Sequence, residues 1–301
     1  MSSIKSYKDY ILDPEDGKNR VRGGTLYLVA TPIGNLADIS YRAVKVLHDV
    51  DFIAAEDTRN TPKLLSRYGI EKPLVSYYEH NKRERGEQIC ARLLAGESCA
   101  LVTDAGTPAI SDPGEDIVRL CGEKNIPVTS IPGPCAAITA LTLSGLFTAR
   151  FVFEGFLSTS KNERKKRLFG LQKETRTIIF YEAPHKLRTT LHDLCTLFAD
   201  RKIALVRELT KINEEVLRMT VKEACDYYSE REPRGEYVLI LSGAPEEELR
   251  ETAFFAEMSY AEHVAHYEGQ GMSRMDAMKA AAKDRGVSKS EIYRALQKTE
   301  D

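Results

Sequence analysis

Apolar strand segments alternate with helical segments along most of this chain, and several strands run directly into loops rich in glycine and proline. Three of these loops have the sequences TPIGNL (residues 31–36), TDAGTPAISDPG (103–114) and PGPCAA (132–137). In open α/β sheets, ligands bind beside the loops that follow the carboxyl ends of the strands. Small residues let the backbone approach a ligand closely, and proline fixes the loop shape. The pattern predicts one shared pocket.

The alternation continues through the first half of the chain without a hairpin pattern, which indicates a parallel or mostly parallel sheet. The predicted strands are 25–30, 52–55, 74–77, 99–102 and 128–131. The predicted helices between and after them are 40–49, 62–68, 82–95, 115–124 and 134–143.

A second set of strands begins near Phe151. The predicted strands are 151–156, 177–181, 203–206, 215–219 and 237–241, with helices at 163–173, 184–198 and 221–229. Ser160 and Glu163 have the spacing of a capping box at the start of the first of these helices. Val206 and Glu215 are too close in sequence for a helical crossover, so some of these strands should pair antiparallel.

The last part of the chain carries three N-cap patterns, at Ser259, Ser273 and Ser288, with glycines between them. They predict short helices at 259–268, 273–285 and 288–298, of which the last two resemble a helix-turn-helix. The predicted organisation is a flexible arm (1–23), an N-terminal α/β domain (24–147), a C-terminal α/β domain (148–245) and a helical tail (246–301).

Composition restricts the class of protein. The formal net charge of the 301 residues is −2, so the whole molecule is not an electrostatic binder of nucleic acid, and any basic surface must be local. Six cysteines without a CxxC pair favour reduced thiols over a metal site, and His263 and His266 lack a third ligand. The polar N-terminus argues against a signal peptide, and no apolar run approaches the roughly 18–20 residues of a membrane span. These features predict a cytoplasmic protein.

The loops do not match the known phosphate-binding patterns. Neither GxxxxGK[ST] nor GxGxxG occurs at the first strand, and TPIGNL contains a single glycine. A ligand without phosphate fits better, provided that main-chain groups can hold its polar and apolar parts. S-adenosyl-L-methionine has these properties, but glycine loops at strand ends are common, and their spacing alone leaves other ligands open.

Eight motifs in sequence resemble one family, the ribosomal small-subunit RNA cytidine 2′-O-ribose methyltransferases (methyltransferase I) of the tetrapyrrole-methylase fold. They are TPIGNL, AAEDTRNT, VTDAGTPAISDPG, IPGPCAAITAL, FEGFL, FYEAPH, RELTK and GEYVLI, and they span about residues 24–241. The resemblance implies a two-domain α/β class III methyltransferase with a small helical C-terminal appendage, and a homodimer. It also implies methylation of a cytidine 2′-hydroxyl in the decoding region of small-subunit ribosomal RNA, with S-adenosylmethionine in the cleft between the domains. We expect this RNA to be part of an assembled subunit, although the sequence leaves naked RNA open as the substrate.

The resemblance assigns cofactor contacts to loop residues that are open to a structural interpretation when taken singly. The predicted cofactor-binding residues are Pro32, Asp104, Ala105, Gly106, Ile110, Cys135, Ala136, Tyr181 and Glu182. Taken alone, Asp104 is better explained as a turn residue whose side chain bonds its own backbone. Cys135 suits packing, and Tyr181 suits a structural aromatic position.

Four residues are predicted to serve methyl transfer. Glu56, Asp57 and Arg59 follow an apolar strand, and Lys211 lies in RELTK. A carboxylate or a lysine near a ribose hydroxyl can accept its proton or stabilise negative charge on its oxygen. Asp57 is the first candidate for the general base and Lys211 the second. A helix-capping acidic pair beside a solvated arginine is the competing interpretation of residues 56–59.

A basic block at 161–176 and a smaller patch near residue 82 are the candidate RNA contacts. The predicted RNA-binding residues are Arg164, Lys165, Lys166, Arg167, Lys82 and Arg83. Lysine and arginine neutralise phosphates and make binding depend on salt. A solvated helix face is the competing interpretation.

Two other functions compete with RNA methylation. A methylase of the same fold that modifies a tetrapyrrole would need neither the basic block nor the helical tail. A ligand-sensing regulator that reads nucleic acid with its tail is less favoured, because residues 251–301 carry seven basic and nine acidic side chains.

Overall fold

The computed structural model describes residues 19–245, 255 and 257–297. The chain divides into two compact units, one formed by Met1–Leu168 with Thr177–Ser242 and the other by Phe169–Arg176 with Gly243–Asp301. Both β-sheets belong to the first unit. The predicted arm lies largely outside the described residues, as does part of the predicted tail, and the three boundaries between the four predicted segments stay predictions.

The first sheet is entirely parallel, as the absence of hairpin patterns predicted, with strand order β3-β2-β4-β1-β5. Its strands are β1 (Leu26–Val29), β2 (Phe52–Ala55), β3 (Leu74–Ser76), β4 (Cys99–Val102) and β5 (Val128–Ile131). Alternate residues of β2 enter different cores, since Phe52 and Ala54 pack on one face and Ile53 and Ala55 on the other. Burial on both faces explains why these strands are continuous apolar runs.

Helices cover both faces of this sheet. They are α1 (Tyr41–Asp49), α2 (Thr61–Arg67), α3 (Lys82–Leu94) and α4 (Glu115–Glu123), with a 3₁₀ turn at Leu36–Asp38. A fifth helix, α5 (Ala136–Ser144), follows β5. Ser40 caps α1 as predicted, because its side chain accepts a hydrogen bond from the Ala43 N–H.

The second sheet has the order β6-β7-β10-β8-β9, with β6 parallel to β7 and all other neighbours antiparallel. Its strands are β6 (Phe151–Phe156), β7 (Thr177–Glu182), β8 (Lys202–Arg207), β9 (Glu215–Thr220) and β10 (Tyr237–Leu241). Its helices are α6 (Lys161–Gly170), α7 (Pro184–Phe198) and α8 (Val221–Ser229). The antiparallel pairing of β8 with β9 confirms the inference from their short connection. At the start of α6 the Glu163 carboxylate accepts a hydrogen bond from the Ser158 hydroxyl, two residues before the predicted cap.

Helix α5 joins the two sheets. It follows β5 of the first sheet, and its residues Ala137, Ala140 and Leu141 are buried in one cluster with Ile179 and Ile240 of the second sheet. The carboxyl edge of the first sheet therefore lies next to the second sheet.

The crossing directions of the chain open a crevice at that edge. The chain leaves β1 towards β2 and leaves the neighbouring β4 in the opposite direction, towards β5. Because crossovers are right-handed, the two connections lie on opposite faces of the sheet. Ligands of open α/β sheets bind at such a reversal.

The second unit contains three short helices, as predicted: α9 (Tyr260–Gly269), α10 (Arg274–Arg285) and α11 (Lys289–Gln297). Ser259 and Glu262 form the capping box, and Ser273 accepts from the Asp276 N–H. Gly286 ends α10 with a φ of 64°, a conformation that suits glycine. The last residue of the predicted helix 288–298 lies outside the described residues. None of the described helices combines the length and apolar character that crossing a bilayer requires.

Candidate active site

A cavity of about 480 Å³ lies between the carboxyl edge of the first sheet and the second sheet, within the first unit. The first half of the chain contributes Ile33, Glu56, Asp104, Ala105, Gly106, Thr107, Ile110, Ser111, Asp112, Cys135 and Ala136. The second half contributes Phe156, Tyr181, Glu182, Ala183, Pro184, His185, Val206, Glu208, Leu209, Lys211, Glu236, Tyr237 and Val238. The volume falls in the range of about 300–1,000 Å³ that is typical of small-molecule and cofactor sites.

Most of the residues predicted from the loops meet in this one cavity. The predicted cofactor contacts that line it are Asp104, Ala105, Gly106, Ile110, Cys135, Ala136, Tyr181 and Glu182. Glu56 and Lys211 line it as well, whereas Pro32, Asp57 and Arg59 do not. The placement concerns position only, and the role of each residue stays a prediction.

Hydrogen bonds tie the three loops together. The backbone groups of Thr31 and Gly106 exchange two hydrogen bonds of 2.9 and 3.0 Å, and the Thr107 hydroxyl donates to the Pro134 carbonyl at 2.9 Å. Gly106 has a φ of 87°, a backbone conformation that residues with a side chain rarely adopt. The glycine therefore allows the turn that brings the loop after β4 against the loop after β1.

Tyr181 forms the wall beside the first turn of α5. Its hydroxyl accepts a hydrogen bond of 3.1 Å from the Ala137 N–H, one of the groups without an intrahelical partner. Burial raises its pKa to about 12, so the phenol is neutral at physiological pH. Its ring packs edge-on against Phe153 and Phe156 at centroid distances of 5.0 and 5.5 Å. The contacts give Tyr181 a structural role beside the cavity.

A group of carboxylates gives the cavity its charge. Burial, then the charge of Asp104, raises the pKa of Glu56. Burial, then the charges of Glu56 and Asp104, raises the pKa of Asp112 to about 6. Sequence reasoning did not single out Asp112, although it lies inside the TDAGTPAISDPG motif.

Glu182 is a buried part of the cavity wall. Its two carboxylate oxygens accept hydrogen bonds from the Ala183 N–H at 2.9 Å and from the Thr190 hydroxyl at 2.5 Å. These bonds hold the end of β7 against α7.

Lys211 is held as an ammonium group at the cavity wall. Its Nζ lies 2.9 Å from Oε1 of Glu208 and 3.3 Å from Oε2 of Glu236. Burial opposes the charged form, but the two carboxylates outweigh it and raise the pKa of Lys211. A protonated lysine cannot accept a proton, so the geometry supports an electrostatic role for Lys211 over that of a general base.

The half-buried Asp57 and the exposed Arg59 form an ion pair just outside the cavity. The guanidinium donates to both carboxylate oxygens of Asp57, at 3.0 and 2.8 Å. These bonds lower the pKa of Asp57 to about 2, which makes it a poor proton acceptor near neutral pH. The side chain of Arg59 is 88% exposed, within the field of Asp104.

The basic block at α6 separates into buried and exposed residues. Arg164 is buried, where its Nε donates to Asp193 at 2.7 Å and its Nη1 donates to the Ser158 carbonyl at 3.0 Å. The prediction that Arg164 binds RNA is therefore wrong, because its buried guanidinium is hydrogen-bonded to Asp193 and Ser158 inside the protein. Lys165 and Lys166 are exposed.

The remaining predicted RNA-binding residues differ in whether they form ion pairs within the protein. Arg167 forms an ion pair with Glu154, and Lys82 forms ion pairs with Glu79 at 2.7 Å and Asp116 at 2.8 Å. Arg83 is exposed. Among residues 19–245, 255 and 257–297, no group of three or more His, Cys, Asp or Glu side chains is arranged to hold a metal ion.

The donor set of the cavity fits S-adenosylmethionine. Six carboxylates and one lysine line it, together with apolar side chains such as Ile33, Ile110 and Val238. An acidic lining attracts the sulfonium and ammonium charges and repels a polyphosphate. The backbone of the glycine loops and the apolar side chains suit the nucleoside part.

Comparison with known proteins agrees with this architecture. The family described as Tetrapyrrole (Corrin/Porphyrin) Methylases matches residues 25–225. A solved structure of cobalt precorrin-4 methyltransferase, described as a cobalamin biosynthetic enzyme, superposes with a TM-score of 0.55 at 16% identity and covers 73% of this chain and 95% of that protein. Uroporphyrin III C-methyl transferase from Thermus thermophilus gives a TM-score of 0.53 at 16% identity, with 72% and 97% covered. These structures share the fold, and the fold prediction is confirmed.

More similar relatives identify the group within that fold. Ribosomal RNA small subunit methyltransferase I from Synechocystis is 47% identical over 90% of this chain and 96% of the relative. The protein of the same name from Bacillus subtilis is 48% identical over 90% of this chain and 94% of its own length. The chain therefore belongs to the tetrapyrrole methylase family and, within it, to the ribosomal RNA small subunit methyltransferase I group, as the motifs predicted.

Proposed function

We propose that this chain transfers a methyl group from S-adenosylmethionine to the ribose 2′-hydroxyl of a cytidine in the decoding region of small-subunit ribosomal RNA. The observation that carries the proposal is the acidic cavity, in a chain that is 47–48% identical to ribosomal RNA small subunit methyltransferases I. The names of these relatives indicate small-subunit ribosomal RNA as the substrate. The acidic lining of the cavity provides a binding site for a cationic cofactor.

Different residues of the cavity have different roles in the proposed methyl transfer. When bound, S-adenosylmethionine supplies a methyl group already activated by a sulfonium. The carboxylates of Glu56, Asp104 and Asp112 would hold the positive charge of the cofactor, and the backbone of Gly106 and Ala136 would leave room for it. Alignment of the reactants is the main contribution that the protein makes to such a transfer.

Methyl transfer to the ribose oxygen also requires a proton acceptor and a group that stabilises negative charge. The 2′-hydroxyl loses its proton as its oxygen gains the methyl group, so an acceptor near neutral pKa is favoured. Asp112 and Glu56, whose pKa values are raised, match this requirement better than Asp57, which stays a hypothesis for the base. The Lys211 ammonium stabilises negative charge that develops on the oxygen.

The wider assembly is also part of the proposal. Lys165, Lys166 and Arg83 supply exposed positive charge for the RNA backbone. The substrate is the assembled small subunit, and the protein acts in the cytoplasm as a homodimer. Light scattering tests the dimer, which should have twice the chain mass of 33.8 kDa.

The decisive experiment compares substrates. The purified protein is incubated with methyl-labelled S-adenosylmethionine and with undermethylated small subunits, naked small-subunit RNA or a tetrapyrrole precursor. We expect label in the subunits, at a cytidine that mass spectrometry of nuclease fragments identifies as 2′-O-methylated. Label in the tetrapyrrole, or on a base in place of a ribose, would refute the proposed function.

A further inference from the structure

Lys211 reaches the cavity through a space that two glycines leave open. A Cβ on Gly34 would lie 2.5 Å from Cγ of Lys211, and one on Gly235 would lie 2.5 Å from Cγ of Glu208. Real Cβ atoms do not approach other atoms this closely. The lysine and its carboxylate partner therefore pack against backbone from two separate parts of the chain, the loop after β1 and the residues before β10.

Glu208 is fixed from several directions. Its Oε1 accepts from Lys211 Nζ at 2.9 Å and from the Glu236 N–H at 3.2 Å, while its own N–H donates to the Glu236 carbonyl at 3.2 Å. Its φ of 51° lies in the left-handed region, and Thr210 beside it has a φ of 65°. Non-glycine residues persist in this region where the surroundings hold them there, and they cluster at functional sites.

We propose that Glu208 is a positioning residue for methyl transfer: it holds Lys211 protonated and aimed into the cavity, towards the oxygen that is methylated. This inference rests on the proposed function and goes beyond it by assigning Glu208, Gly34 and Gly235 to the placement of one ammonium group. Glu208 acts through Lys211 and does not itself contact the substrate. The geometry explains how a flexible lysine side chain is kept in one orientation.

A double-mutant cycle tests the coupling. The variants are Glu208→Gln, Lys211→Met and their combination, with kcat measured on small subunits and S-adenosylmethionine affinity measured by calorimetry. We expect Lys211→Met to lower kcat about 100-fold and Glu208→Gln about tenfold. Because residues that act through one another are not additive, the combination should equal Lys211→Met alone. Cofactor affinity should change less than about threefold.

Two further variants distinguish the positioning of Lys211 from a general effect of changing the loop that contains it. Glu214→Gln removes one negative charge from the same loop, where the carboxylate accepts from the Thr210 N–H at 2.6 Å, and should leave kcat within about twofold. Gly34→Ala keeps every charge but displaces Lys211, and should lower kcat like Glu208→Gln. Circular dichroism confirms that each variant is folded.

A chemical labelling experiment tests the Glu208–Lys211 pair without measuring methyl transfer. An amine-selective acylating reagent modifies only neutral lysine, and mass spectrometry reports the rate at Lys211. Loss of the Glu208 charge should lower the Lys211 pKa and raise this rate several-fold at about pH 8, and Glu214→Gln should not. Additive losses in the cycle, or an unchanged labelling rate, would overturn the inference. A wild-type protein that modifies no subunit would instead overturn the proposed function.

Discussion

At the scale of single residues, the neighbours of Asp57 and Asp112 give the two carboxyl groups different pKa values. Asp57 and Asp112 both lie near the carboxyl edge of the first sheet, yet their pKa values are about 2 and about 6. Asp57 is paired with Arg59, whereas Asp112 is buried beside the carboxylates of Glu56 and Asp104. The same residue type thus suits two different tasks, an ion pair and a cavity carboxylate that titrates near neutral pH.

Replacing Asp104 should weaken cofactor binding. Asp104→Asn removes one carboxylate from the acidic lining, so the affinity for S-adenosylmethionine should fall about 10- to 100-fold by calorimetry. Asp57→Ala is the control, because Asp57 lies outside the cavity and is paired with Arg59; it should keep cofactor affinity. Equal affinities for the wild type and Asp104→Asn would show that Asp104 does not hold the cofactor.

Cofactor affinity should also depend on pH. Asp112 takes up a proton as the pH falls through about 6, which removes a negative charge from a cavity that holds a cation. The affinity should therefore be constant above about pH 7 and decline below about pH 6, by at most about tenfold per unit. Calorimetry across this pH range measures the decline. In Asp112→Asn the affinity should be lower at neutral pH and the decline flatter, and an equally steep decline would assign it to another group.

At the scale of elements, basic residues that are adjacent in the sequence of helix α6 have different environments in the structure. In the sequence these residues form one basic block, but in the helix Arg164 and Leu168 are buried while the other residues are exposed. Asp193 of α7 compensates the buried charge of Arg164. Lys165 and Lys166 follow at once and are exposed. Adjacent basic residues in this helix therefore differ in function.

Substitutions in α6 should separate stability from RNA binding. Lys165→Ala with Lys166→Ala should weaken RNA binding and reduce the slope of log affinity against log salt by about 0.7–0.9 for each phosphate that is no longer neutralised. Arg164→Ala leaves Asp193 buried without its partner and should cost about 3–5 kcal/mol of unfolding free energy. Filter binding at several salt concentrations and thermal unfolding measure the two effects. A salt slope that the double variant leaves unchanged would remove this helix from the RNA interface.

At the scale of the whole molecule, α5 connects the two sheets and supplies cavity residues at its first turn. Two of its side chains in the cluster with the second sheet, Ala137 and Ala140, are small, and Ala140 is fully buried. Small residues let the helix approach the sheet closely, and the distance between the two sheets determines the shape of the cavity.

Enlarging a buried residue of α5 should affect stability and binding together. Ala140→Leu adds volume to a packed interface and should cost about 1–3 kcal/mol of unfolding free energy. It should also reduce S-adenosylmethionine affinity, although residue 140 does not line the cavity. Thermal unfolding and calorimetry measure the two quantities. Thr142→Leu is the control because Thr142 is exposed on the same helix, and an Ala140→Leu protein with unaltered affinity would contradict the proposed link.

The order of strands and helices was predictable from sequence, because hydrophobic period, caps and glycine-proline loops are local properties. The three loops were correctly expected to meet, since parallel strands end at one edge of a sheet. Asp112 was missed because its environment is made by Glu56, which lies 56 positions earlier in the chain. The pairing of Arg164 with Asp193 was hidden for the same reason, as the two belong to different helices.

The sequence by itself determined the elements, the loops that form the cavity and the membership of a methyltransferase family, because each depends on residues close together in the chain. Only the tertiary structure decided which charges are buried, paired or free to act. Burial and electrostatic interaction depend on distance in space, and Lys211 reaches its partner Glu236 across 25 positions of sequence.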